Sequence, residues 1–339
     1  MTDSLDIEQP AALEAYLRAT LRVGVTEEVF SRRLPGGVSN RTVLVRRASG
    51  EAWVIKQALP KLRVAVDWFS DPRRIGREAA GMRRLYELAP PGAITRLIFE
   101  DRERHLLAME AVPEPHQNWK DLLLAGHVEE DRVRQFAELL ATIHGGAYRR
   151  GGELAGEFAD RQFFESLRLE PYYAFTAAKT PAAAAFLQEL IRETRLVRDT
   201  LVHGDFSPKN ILLQGPRMVL LDHEVVHWGD AAFDLGFSLT HLLSKAHALR
   251  EQRDALAHAA SRYWQTYRQV LGPLPWLDGL EARAVRHTLG CLLARVAGRS
   301  PLEYLDASQR AAQREAVLPL MQDPPRSIDA LIDAFLKRL

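Results

Sequence analysis

The chain has 339 residues, 47% hydrophobic and 26% charged, with 21 Gly and 18 Pro. At roughly 150 residues per domain this is two domains or one domain with two lobes, and the composition excludes a disordered, collagenous or coiled-coil architecture. Lys plus Arg (45) nearly balances Asp plus Glu (44), leaving no whole-chain footprint for nucleic acid or membrane, and one cysteine, Cys291, excludes an intramolecular disulfide or a cysteine zinc site.

The chain opens on Met1-Thr2-Asp3-Ser4-Leu5-Asp6, acidic and without the basic-then-apolar order of a signal peptide. No apolar run approaches the ~18 residues that span a bilayer, so a cytoplasmic protein is expected. Residues 41–47 and 52–56 are β-branched runs separated by Ala48-Ser49-Gly50, a hairpin signal. Asp71-Pro72 predicts a helix start, with Asp71 as N-cap, running to Leu88 before Pro90-Pro91. Strand-like runs follow at 93–99 and 105–109. The segment Ala111-Val112-Pro113-Glu114-Pro115 cannot continue a central strand, because proline lacks the ladder donor. The expected boundary therefore divides residues 1–111 from 112–339. Downstream, 129–147 has helical spacing, 211–213 and 218–222 are short apolar runs joined by Gly215-Pro216, and helical patterns return at about 231–247, 251–270, 279–297, 306–319 and 327–338. The pattern predicts an α+β, bilobal fold with a small β-rich N-lobe and a larger, mostly helical C-lobe.

The densest chemistry lies in 201–236. Asp205 sits beside a glycine in a loop before a short hairpin, where its carboxylate can approach a substrate hydroxyl. Asn210 lies five residues on, and Asp222 closes the second strand with Glu224 two residues later. Asn and Asp supply the hard oxygen ligands that Mg2+ prefers. Phosphoryl transfer needs one carboxylate for the nucleophile and an Asn/Asp pair for the metal. Any one of these residues could instead satisfy a loop backbone. The whole set in this order points to chemistry.

His203-Gly204-Asp205-Phe206-Ser207-Pro208-Lys209-Asn210 resembles the H-G-D-x-x-x-x-N catalytic loop of the aminoglycoside phosphotransferase and choline kinase superfamily. Asp222-His223-Glu224, followed by Gly229-Asp230 and Phe233-Asp234-Leu235-Gly236, is similar to that superfamily's metal segment and the helix after it. The resemblance covers about residues 30–300 and implies a protein-kinase-like fold with ATP in the cleft. It implies Asp205 as the catalytic base and Asn210 and Asp222 as Mg2+ ligands. It makes Glu224 a further acid of the metal or substrate site, and His203 a brace for the loop.

The N-terminal third fits the same scheme. Gly36, Gly37, Ser39 and Asn40 lie in a Gly-containing turn whose backbone N–H groups can meet phosphates. Lys56 ends a strand, and Glu78, expected on the helix face opposite Arg74 or Arg77, can pair with it and keep the ammonium aimed at the nucleotide. Glu110 and Val112 fall where backbone groups would meet an adenine edge. Residues 50–130 also resemble the N-lobe of methylthioribose kinases, through Lys56-Gln57-Ala58-Leu59-Pro60 and Asn118-Trp119-Lys120-Asp121-Leu122, but Arg295-Val296 lacks that family's twin arginine.

The expected activity is an ATP- and Mg2+-dependent kinase acting on a small-molecule hydroxyl acceptor, with no nucleic-acid or membrane partner. Methylthioribose kinase and a nucleotide-binding pseudoenzyme with a regulatory role are the alternatives. From 241 to 339 there are 14 Lys/Arg against 10 Asp/Glu, a balance that disfavours a polycationic acceptor, although Glu224, Asp230 and Asp234 could line the pocket. Trp228, Trp264 and Trp276 could stack on an acceptor or belong to the helical core.

Overall fold

A computed structural model describes residues 5–35, 37–64 and 67–339. The N-terminal part comprises α1 (Pro10–Ala19), β1 (Val29–Arg33), β2 (Asn40–Arg47), β3 (Ala52–Ala58), α2 (Arg74–Leu88), β4 (Leu97–Asp101) and β5 (Leu106–Glu110). Its five strands form an antiparallel sheet in the order β1-β2-β3-β5-β4. Strand periodicity sends alternate side chains to opposite faces. Val43, Val45, Trp53 and Ile55 pack with Leu13 and Leu17 of α1, whereas Ala58, Leu107 and Met109 pack with Ile75, Ala79 and Met82 of α2. Lys56 shares its face with Val54 and Ala58, so it points toward α2.

Three details depart from expectation. The helix after Asp71 begins at Arg74, because the Asp71 carboxylate accepts the Arg73 N–H at 2.9 Å and closes a turn before the first helical residue. The strand expected at 93–99 runs instead from Leu97 to Asp101, since Ala93 and Ile94 bond to Leu220 outside the sheet. The elements α1 and β1 escaped the patterning. The residues of β1 are mostly exposed and carry no apolar alternation.

The larger part begins with β6 (Gln117–Asn118), α3 (Trp119–Leu124), α4 (Glu130–Arg149) and α5 (Gly151–Glu157). A helical run follows as α6 (Gln162–Phe164), a π-helical segment (Glu165–Ala174) and α7 (Phe175–Lys179), then α8 (Ala184–Leu196). The short strands β7 (Thr200–Val202), β8 (Ile211–Gln214), β9 (Arg217–Leu220) and β10 (His227–Gly229) make two small sheets, β10-β7 and β6-β8-β9. They are succeeded by α9 (Ala231–Ala248), α10 (Arg253–Leu271), α11 (Leu280–Ala297), α12 (Ala307–Gln322) and α13 (Ile328–Leu336). One core spans these helices. At its centre α9 is buried on every side from Ala231 to His247. Gly236 lets α11 approach, for a Cβ there would lie 2.5 Å from the Cβ of His287.

Candidate active site

The loop His203–Asn210 follows β7 and turns at Gly204, whose φ of +77° favours glycine. A Cβ at Gly204 would also stand 2.8 Å from Cγ2 of Val225. Asp234, in the first turn of α9, accepts the N–H groups of His203 at 2.7 Å and Gly204 at 2.8 Å, and its Oδ2 lies 3.2 Å from His144 Nε2. One turn later Ser238 donates to the Phe206 carbonyl at 2.8 Å. His203 Nδ1 accepts the Asp205 N–H at 3.2 Å, so the His203 proton resides on Nε2, which donates to Nδ1 of His223 at 3.1 Å. Burial lowers the pKa of both imidazoles, His223 most, and keeps them neutral. His203 therefore braces the loop. Asp234→Ala would orphan two buried N–H groups and His144, and should cost about 3–5 kcal/mol. Urea unfolding with a midpoint equal to wild type would contradict this.

Asp205 is buried, 1% exposed. Arg168 Nη2 stands 3.1 Å from its Oδ1, while Lys209 Nζ at 3.0 Å and the Asn210 amide at 2.7 Å meet its Oδ2. Burial opposes its charge, but Arg168 and Lys209 outweigh it and hold the carboxyl below the ordinary range. Arg168 is positioned by its own helix. Pro171 has no N–H to offer the Leu167 carbonyl, which favours the π-helical register there. Arg168 Nη1 donates to that carbonyl at 2.7 Å, and Nε to the Gly204 carbonyl at 2.7 Å.

Across the cleft Lys56 Nζ lies 2.6 Å from Glu78 Oε1 and 3.2 Å from Asp222 Oδ1. Burial pushes the Glu78 carboxyl up to about 7. Burial also works against the Lys56 ammonium, but Asp222 and Glu78 more than restore it and raise its pKa above the usual lysine value. Asp222 is held low, the opposing burial outweighed by Lys56 and Lys209. Its φ of +68° is a left-handed conformation that costs a non-glycine residue energy and is concentrated at functional sites. Glu224 Oε2 accepts from Arg74 Nε at 3.1 Å and from Asn40 at 3.5 Å. Oxygens of Glu78, Asp222 and Glu224 lie within 4.8 Å of one another.

Eleven of the residues singled out in the sequence thus have defined places. Lys56, Glu78, Asp222, Glu224 and Asn40 meet at the cleft, and Asp205 and Asn210 share a hydrogen bond on the loop. Ser39 is buried beside Asn40, and its carbonyl accepts from Arg74. Glu110 and Val112 lie at and after the end of β5, where the Glu110 and Ala111 N–H groups bond the Arg96 and Ala52 carbonyls. Gly37 has a φ of +77°, whereas Gly36 lies outside the described residues.

Two expectations need correction. Arg74 and Glu78, four residues apart, share one buried face of α2 and do not oppose each other. Asp230 and Asp234 do not line a pocket, for Asp230 caps α9 and pairs with Arg283, and Asp234 holds the loop. Of the two places open to Trp228, Trp264 and Trp276, the structure gives the core, where all three are buried. Sequence patterning missed Arg168, whose only signal is a charge between Leu167 and Leu169, and gave Lys209 no role.

Comparison with known proteins follows the same lines. Residues 31–274 match the model of the phosphotransferase enzyme family. No curated protein matches the chain. Solved structures do. A macrolide 2'-phosphotransferase from Brachybacterium faecium is 18% identical, with 93% of this chain and 99% of that one covered at a TM-score of 0.51. A choline/ethanolamine kinase family protein from Mesorhizobium loti is 16% identical over 96% and 98% of the two chains at 0.54. An amicoumacin kinase in complex with AMP-PNP, Ca2+ and Ami is 14% identical over 94% and 97% at 0.50. The shared feature is a kinase-like fold, a small antiparallel sheet beside a larger helical part.

Proposed function

The chain belongs to the phosphotransferase enzyme family, and from that premise we propose that it moves the γ-phosphoryl group of ATP, in the presence of Mg2+, onto a hydroxyl of a small metabolite or sugar-like compound. The observation that carries this is the meeting of Lys56, from the sheet, with Asp222, from beyond the catalytic hairpin, 3.2 Å apart in one cleft with Asp205 and Asn210 on the neighbouring loop. Residues 1–111 form the nucleotide side and 112–339 the catalytic and acceptor side. Among the described residues no helix is long and apolar enough to cross a membrane.

Lys56, charged and held by Glu78, grips the phosphates. The turn from Gly37 through Asn40 covers them with backbone N–H groups. The C=O of Glu110 and the N–H of Val112 meet the adenine edge, the neighbouring N–H groups being already used. The donor chemistry suits a hard divalent cation: Asp222 keeps one carboxylate oxygen free of Lys56, and Asn210, its amide NH2 committed to Asp205, keeps Oδ1. Glu224 is partly neutralised by Arg74, so it supports this set more than it ligates. Bound Mg2+ would neutralise phosphate charge as the β–γ bond breaks.

Asp205 orients the acceptor hydroxyl. A carboxylate held this acidic cannot deprotonate an alcohol in advance, so it receives the proton late, as the oxygen bonds to phosphorus. The new P–O bond forms, the bridging P–O bond breaks, and the electron pair leaves on ADP. Methylthioribose is the less favoured acceptor, because Val296 offers no donor beside Arg295. Calorimetric titration with AMP-PNP should give one site that requires Mg2+. Binding that ignores the cation, or no binding, would reject the proposal.

A further inference from the structure

The face of α9 that steadies the catalytic loop continues past it. Ser238 touches the Phe206 carbonyl, His241 follows one turn on, and Lys245 one turn further, roughly 10 Å along the helix from Ser238. Lys245 is wholly buried, and its Nζ has the His241 carbonyl at 3.2 Å and the Tyr304 ring at 5.2 Å. Arg295, on α11, is 6% exposed and lies over the Tyr172 ring that Arg168 also approaches, its Cζ 5.7 Å from the ring centre. Among the described residues neither Lys245 nor Arg295 forms a salt bridge. The nearby acid, Glu303, is taken by Lys120 at 3.0 Å. His241 is 2% exposed with both ring nitrogens lacking any hydrogen-bond partner, and the hydroxyl of Tyr304 and Nε of Arg295 are also buried without one. Burial lowers the His241 pKa, and Lys245, Arg295, Lys209 and Lys120 add to the effect, so the ring sits amid cations. Burial, then Lys120 and Arg295, brings Lys245 down to about 7.

A buried cation without a counter-charge is costly, and buried polar groups are normally bonded. Several of both converge here, on the helix that steadies the catalytic loop. We propose that the acceptor is an anionic hydroxyl compound whose carboxylate or phosphate is held by Lys245, Arg295 and His241, two helical turns beyond the catalytic loop. This rests on the phosphotransfer reading above. The acid end of the acceptor fills the cationic site, its hydroxyl reaches Asp205, and the hydroxyl oxygen takes the phosphoryl group as the proton passes to Asp205 and ADP leaves.

The test compares matched acceptors by ADP release at saturating MgATP: glycerol with glycerate and glycerol 3-phosphate, ribose with ribose 5-phosphate, and choline as a cation. The acidic member should lead by about 10–100-fold in kcat/KM, the worth of one or two charged hydrogen bonds. The carboxylate and phosphate arms tell which anion is meant. Lys245→Met should raise the acceptor KM by a similar factor, leave the Kd for MgATP unchanged, and raise the Tm of the ligand-free protein, because it removes an unpaired buried charge. A preference for neutral or cationic acceptors, or an acid preference that survives both Lys245→Met and Arg295→Met, would overturn the proposal. Should no acceptor release ADP, calorimetry with the same acids and inorganic phosphate decides separately. Binding lost in Lys245→Met would uphold the anion site while the phosphotransfer reading fails, and no binding to wild type would overturn the site itself.

Discussion

Replacing Asp205 by asparagine should lower turnover by ~10²–10⁴, the usual contribution of a general base, while leaving nucleotide affinity nearly intact. Asparagine preserves the shape and can still accept from Asn210 and Lys209, which meet Oδ2 in the native loop. It cannot take a proton. The nucleotide side should be indifferent, because Lys56 holds both Glu78 and Asp222 without touching Asp205. Arg168 loses its anionic partner but keeps the Gly204 and Leu167 carbonyls, so the loop stays anchored. Steady-state kinetics and a direct nucleotide titration separate the two effects. Wild-type turnover in this variant would remove Asp205 from proton transfer.

Asp222→Ala should weaken Mg2+-dependent nucleotide binding by more than the ~10–100-fold cost of losing a group that merely supports a ligand. Two effects combine. The cation loses a carboxylate, and Lys56 loses one of its two anionic partners, turning wholly to Glu78. Alanine also tolerates the left-handed backbone at this position less well than aspartate does. Asp222→Asn serves as the control, since it keeps that tolerance and removes only the charge. Both variants should lose affinity in the presence of Mg2+. Unchanged affinity and stoichiometry in either, measured by calorimetry, would reject Asp222 as the metal-side residue.

Much of this was legible in the sequence because the chemistry is local. His203 to Asn210 is one continuous loop, and the strands around Lys56 alternate cleanly enough to place that lysine on the face toward α2. The Lys56–Glu78 pair could be anticipated because both residues sit at ordinary strand and helix positions. What escaped was set by tertiary approach. Nothing near Glu224 in sequence reveals that Arg74, 150 residues earlier, would neutralise it. Arg168 reaches Asp205 only because Pro171 reshapes its helix, a consequence that periodicity does not report. Asp234 looked like a pocket acid but is buried under the backbone it caps. Lys245 carried the one overlooked signal of its kind, a lysine in a helix apolar enough to be buried on every side.

The most direct test of phosphotransfer is ³¹P NMR of ATP, Mg2+ and the best acceptor with wild-type protein and Asp205→Asn. The γ-phosphate resonance should be replaced by a phosphomonoester resonance in step with ADP in the wild type, and scarcely at all in the variant. Inorganic phosphate appearing at the same rate with or without acceptor, or an equal yield of ester from both proteins, would contradict the account.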